Sequence, residues 1–235
     1  LPRDLSVQAY VLVGLYGSAV KDNKFWATDL IIEDGAQHWL ANGCRRIGNA
    51  TAISFDPMKN LNAYGNGGAV VTDIPDLYYF ATEWRDAAKP GHHYAGTNSR
   101  MSEIDCAQMM VKTKYIDQWQ KRREKIATYW AERLHGSGIR SLIDEHNSHD
   151  HAFHKFVVFT ERRDILQQNL AIRKIETKIH YRNPLHEIGM FTQYPGPGML
   201  AAASSMCRGV LSLPIYPELT DLEVEYVIDQ VLDLA

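Results

Sequence analysis

Two residues in the first third of the chain have the type and setting for bond-making chemistry. Lys59 lies just past the apolar run Thr51–Phe55, within Ser54-Phe55-Asp56-Pro57-Met58-Lys59-Asn60. A lysine amine becomes a nucleophile when desolvation or nearby positive charge leaves part of it neutral. Asp34 closes a second apolar run in Ile31-Ile32-Glu33-Asp34-Gly35-Ala36-Gln37, so a carboxylate at a strand end is followed by the amide of Gln37. Two more stretches stand out: the glycine-rich turn Gly65-Asn66-Gly67-Gly68, and Gly96-Thr97-Asn98-Ser99-Arg100 ahead of a helical pattern. Taken singly, each also fits a structural role. Lys59 reads as a solvated surface residue, Asp34 and Ser54 as turn or cap residues, Gln37 as a helix-entry residue, and Gly67-Gly68 as room for a tight backbone.

Short apolar runs must position these groups. Val7–Leu15, Asp29–Ile32, Thr51–Phe55 and Ala69–Thr72 are such runs, bounded by Gly, Pro, Asn or Asp. Their spacing predicts a largely parallel α/β sheet with strands buried on both faces. In such sheets ligands gather at the carboxyl ends of the strands, where Asp34 and Asp56–Asn60 fall. From Met101 to about His135 the apolar positions predict one long helix, stopped by Gly136-Ser137-Gly138, with its Tyr and Trp residues in the core. Beyond it, strands are expected at Phe153–Phe159, Lys178–Tyr181 and Leu211–Leu213, with helices at Arg162–Ala171 and Asp221–Leu234. The expected organisation is a large domain over residues 1–118, then a connecting helix and a smaller α/β domain over 119–235.

Composition excludes several classes. The 235 residues are 45% hydrophobic, and 25 Lys+Arg nearly balance 28 Asp+Glu for a net charge of −3. Neither a nucleic-acid footprint nor a disordered acidic tail is expected. No apolar run approaches the ~18 residues of a membrane span. The N-terminal LPRDLSVQAY has no signal-peptide pattern, which leads to the expectation of a cytoplasmic protein. Cys44, Cys106 and Cys207 form no C-x-x-C pair, so no structural zinc is expected. His146, His149, His151, His154 and His180 lack metal-ligand spacing, and His146–His154 reads as a solvated loop leading into a strand.

In their order along the chain, Asp34, Gln37, Ser54, Lys59 and the Gly65–Gly68 turn resemble the DegT/DnrJ/EryC1/StrS family of sugar aminotransferases. Ile179-His180-Tyr181 with Pro184-Leu185-His186, and Ser212-Leu213-Pro214 through Leu219 with the closing helix, extend the likeness over essentially the whole chain, which aligns with the later part of a family member. The resemblance implies fold type I of the pyridoxal 5'-phosphate (PLP) enzymes and an amino group moved from an amino acid, glutamate, to a keto group of a nucleotide-linked sugar. It implies that Lys59 forms the Schiff base with the cofactor aldehyde and shuttles the proton. Asp34 would pair with the pyridine nitrogen so that the ring acts as an electron sink. Gln37 would lie by the ring hydroxyl, and Ser54 would donate to the phosphate. Asn98 would reach a phosphate in a neighbouring subunit, implying a homodimer with shared sites. Tyr181 and His186 would approach the sugar.

The sequence also departs from that pattern. The family's N-terminal segment, with a helix start for the phosphate and an aromatic stacked on the ring, has no counterpart in these residues. The large domain is therefore expected to be incomplete, and helix N-termini are natural anion sites. A longer enzyme, a second chain supplying the segment, and a non-catalytic relative that binds cofactor or sugar nucleotide without turnover all remain open. Asn66 stands where the family often has an acid, and His38-Trp39 replaces small residues, fitting either core packing or a narrowed pocket.

Overall fold

A computed structural model describes residues 9–19, 30–41, 48–143, 150–193 and 200–234. The chain divides into two compact units, Leu1–Gln120 with His149–His154, and Lys121–Ser148 with Lys155–Ala235.

The first unit is built on a four-stranded sheet in sequential order, β1 (Ala9–Val13), β2 (Leu30–Asp34), β3 (Ala50–Ser54) and β4 (Gly68–Val71). The first two pairings are parallel, and β4 runs antiparallel to β3. The reversal follows from the connection: residues 55–67 contain no helix to carry the chain back for a parallel return.

Register decides which side chains share a face. Asp34 lies opposite Val13 and Ala52, and Ser54 opposite Gly68. Because side chains alternate along a strand, Val11, Val13, Ile32, Asp34, Ala52, Ser54 and Val70 lie on one face. That face is open: Val11 is 61% exposed, Val13 47%, Ile32 37% and Val70 58%. The other face holds buried Ile31, Glu33 and Thr51. Within the described residues β2 alternates between buried and exposed positions.

Helix α1 (Pro75–Arg85) was not legible in the sequence; it buries none of its residues, and Tyr78, Tyr79 and Phe80 lie exposed on it. The single helix expected from Met101 to His135 is two, α2 (Glu103–Lys112) and α3 (Ile116–Leu134). Ser102 caps α2 by accepting from the Asp105 amide. At the break the Thr113 hydroxyl donates to the Met110 carbonyl, the local competition that disfavours Thr inside helices.

The second unit is self-contained. Its antiparallel sheet runs β5 (Arg140–Ser141), β6 (Phe156–Phe159), β7 (Val210–Leu213). Helices α4 (Arg163–Ile172), α5 (Ala201–Gly209) and α6 (Asp221–Asp233) belong to the same unit. Trp130 of α3 is fully buried, meets Phe156 edge-to-face at 5.2 Å, and donates its indole N–H to the Val224 carbonyl at 2.9 Å. Thr220 and Glu223 form a reciprocal capping box at the start of α6. The strand expected at Lys178–Tyr181 is only an isolated bridge from Lys178 to Ser212, and that expected at Phe153–Phe159 begins at Phe156. None of the described helices is long and apolar enough to cross a membrane.

Candidate active site

The carboxyl ends of β2 and β3 bring Asp34 and Ser54 to one edge and one face of the sheet. Asp34 is half-buried, and one of its oxygens accepts from the Ala36 amide at 3.0 Å, folding the chain into a turn straight after the strand. The turn is closed by the His38 and Trp39 amides, both donating to the Gly35 carbonyl, and it is tied to β3 by the Gly35 amide on the Ala52 carbonyl. Within the turn, the side-chain oxygen of Gln37 accepts from the Tyr16 amide at 2.8 Å. That bond fixes the orientation of the amide, with its nitrogen as the end that donates.

Lys59 sits in a tight loop after β3. Its amide donates to the Asp56 carbonyl, and Asp56 accepts from the Met58 amide. The Ser54 hydroxyl oxygen accepts from the Asp56 amide at 3.3 Å, which leaves its hydrogen to donate elsewhere. The Lys59 side chain is half-buried, and among the described residues its ammonium has no hydrogen-bond or ion-pair partner.

Three supports of this loop were missed in the sequence. Asn60 donates to the Ala152 carbonyl at 2.6 Å and to Gln120, and its oxygen lies 3.2 Å from Nδ1 of His154. Helix α2 holds the far side through Asp105, which accepts from the Tyr64 and Gly65 amides, and Lys112, whose ammonium donates to Asn62 at 2.9 and 2.7 Å. These hydrogen bonds hold the Asp105 carboxyl below its usual range, the bond from the Ser102 hydroxyl contributing most. Between them Met109 packs on Leu61 and Ala63, with Trp39, Phe55 and Met101 against the same cluster. Trp39 is thus core. The residues were individually visible; their convergence on one loop was not.

His151 and His154 are buried, which corrects the expectation of a solvated loop; His146 and His149 lie outside the described residues. Burial pushes His151 down to about 4, so it is neutral, and its Nδ1 accepts from the Phe153 amide at 2.8 Å. Gly68 confirms the need for a bare backbone in the glycine-rich turn, since a Cβ there would lie 2.6 Å from the Ile53 carbonyl oxygen.

The remaining expected residues lie elsewhere. Asn98 is exposed and bridges to Asp86 on a β-like segment after α1. Tyr181 and His186 belong to the second unit. Tyr181 is exposed, whereas His186 donates from Nε2 to the Ser204 hydroxyl at 3.2 Å, the serine passing its own hydrogen to Glu187. Beside them His180 is 2.8 Å from Ser212 and is pushed down to about 4, chiefly by burial and then by Lys155 and Lys178. Among the described residues no cluster of three metal-ligating side chains occurs.

An α/β protein with an aspartate and a serine at adjacent parallel strand ends, and a lysine on the loop that follows, is the class that fold and site define. Residues 30–232 match the model of the DegT/DnrJ/EryC1/StrS aminotransferase family, and the chain belongs to that family. It is 38% identical over 214 residues to dTDP-3-amino-3,4,6-trideoxy-alpha-D-glucose transaminase of Streptomyces venezuelae, a match covering 87% of this chain and 56% of the relative. It is 34% identical over 216 residues to a pleiotropic regulatory protein of Geobacillus stearothermophilus, covering 87% of this chain and 58% of that one. Among solved structures, that of S. venezuelae DesV in complex with a ketimine intermediate superposes with a TM-score of 0.85 at 35% identity, covering 97% of this chain and 65% of that one. The architecture is accordingly that of the fold type I PLP enzymes. The chain spans little more than half the length of the curated relatives it matches.

Proposed function

We propose that this chain carries the cofactor-binding face of a PLP-dependent aminotransferase that moves an amino group from an amino acid, glutamate, to a keto group on a nucleotide-linked sugar. The observation that carries the reading is the register of β2 and β3, which sets Asp34 and Ser54 on one face at one sheet edge, with Lys59 on the loop that follows. Family membership and the transaminase and ketimine named for two relatives support it.

The donor set suits that cofactor. Asp34 offers an anionic acceptor to a protonated ring nitrogen, Gln37 an oriented N–H donor to an anionic ring oxygen, and Ser54 a hydroxyl hydrogen to a phosphate. When bound, PLP supplies an aldehyde for amine exchange and an electron sink for the carbanion character that follows proton loss. Lys59 would supply the amine that engages that aldehyde and, with the amine released, would be the base that moves a proton between the substrate carbon and the cofactor in each half of the exchange. Asp34 would hold the ring nitrogen of the bound group by accepting its hydrogen. The Asp56, Asn60 and Asp105 contacts limit the movement of the Lys59 loop, so that the amine is oriented in advance. Tyr181 and His186 are assigned to the sugar, and Asn98 to a phosphate of the neighbouring protomer in a homodimer.

The test is covalent capture. The purified chain is mixed with PLP, reduced with borohydride and digested; the expected label falls on Lys59 and is absent from Lys59→Ala. Label on other lysines alone, or none, overturns the reading. A second reading, cofactor binding without turnover, is favoured by the likeness to a pleiotropic regulatory protein. Lys59 label without amine exchange between glutamate and a nucleotide-linked keto sugar selects it.

A further inference from the structure

The buried polar set beneath the site has no part in the roles assigned above. Glu33 is 1% exposed and His38 is 0% exposed, and they flank the turn that carries Asp34 and Gln37. His38 Nε2 lies 2.9 Å from one Glu33 oxygen, and the Thr51 hydroxyl of β3 donates to the other at 2.8 Å. One hydrogen lies between Nε2 and that oxygen, joining the two side chains. Nδ1 has no partner among the described residues and faces Gly14, where a Cβ would lie 1.8 Å from it. The imidazole is thereby clamped between the end of β1, the end of β2 and, through the shared carboxylate, β3.

Burying an acid on the apolar side of a sheet is costly unless each oxygen is satisfied. The return here is geometric. Asp34 and Gln37 are held between two residues whose side chains are joined, so their separation is set by the Glu33–His38 bond as well as by the turn's own backbone bonds. The same bond commits Glu33 to the buried face and leaves Asp34 as the acid on the open one.

We infer that His38 is a positioning residue for the cofactor contacts, fixing the span between the Asp34 carboxylate and the Gln37 amide through its bond to Glu33. The inference rests on the reading of Asp34 and Gln37 given above, and its test separates the two. The first arm needs no cofactor. Amide hydrogen exchange on the full chain should show the Ala36 and Tyr16 amides, held by Asp34 and Gln37, exchanging about tenfold faster or more in His38→Leu, with β6 amides unchanged. The second arm is PLP titration followed in the visible band. His38→Leu should bind about tenfold more weakly with a displaced band, and His38→Gln, which keeps an N–H donor, should restore both to within about threefold. A folded His38→Leu chain with unaltered exchange, or with PLP binding and band like the parent, overturns the inference. Should His38→Leu lose its circular dichroism, Thr51→Val and Glu33→Gln decide by the same criteria. If the parent chain places no PLP on Lys59, the proposed function falls, and the exchange arm alone judges the positioning role.

Discussion

The two sheets differ in what they leave to solvent. In the second unit β7 is buried along its whole length and β6 over its first three residues. In the first unit β4 is exposed at every position, and the face carrying Asp34 and Ser54 bares Val11, Val13 and Val70. Buried Arg163 is satisfied by Asp164 and by the Cys207 and Val210 carbonyls, contacts that hold a core together. Half-buried Asp34 and Lys59 stand at the margin of packing, where a side chain is partly desolvated and still reachable. Trp130 and its neighbours therefore carry packing, whereas Asp34 and Lys59 stand where a bound group can reach them. Mutations should separate the two.

The sharpest break comes at Lys59. Lys59→Ala should lose all borohydride-trapped cofactor while its urea unfolding stays within about 0.5 kcal/mol of the parent, as for other substitutions away from the core. Trp130→Ala should do the reverse. Removing a fully buried indole costs about 3–5 kcal/mol in urea unfolding, and labelling of Lys59 should persist wherever the variant remains folded. Loss of stability at Lys59, or loss of labelling in folded Trp130→Ala, would break the comparison.

Smaller effects sharpen it. His151 in the folded chain is held down to about 4 against an ordinary value of 6.5. As pH falls between those values the unfolded chain takes up a proton that the folded chain refuses, so stability declines by up to about 1.4 kcal/mol per pH unit. Below that window the slope from this group vanishes, and above it the group contributes no pH dependence. His151→Asn keeps an acceptor for the Phe153 amide, and its stability, followed by urea unfolding from pH 7 to 4, should fall less steeply. Thr220→Ala removes one half of the α6 capping box and should cost about 1 kcal/mol in the same assay at pH 7.

Residue types and order by themselves determined the α/β class, the family, and the placing of Asp34, Ser54 and Lys59 at or just beyond strand ends. Those features are local: β-branched runs, turn residues and motif spacing act within a few positions of one another. The break between α2 and α3 and the antiparallel return of β4 were not legible, because each depends on where the chain goes after the local pattern ends. Glu33 and His38 illustrate the limit best. A charged residue in an apolar strand must find a partner, and the sequence shows that need, yet only the tertiary structure decided that the partners are His38, beyond the turn, and Thr51, on the next strand. Hydrogen bonds between distant residues follow from strand register and turn closure, and these are properties of the packed chain.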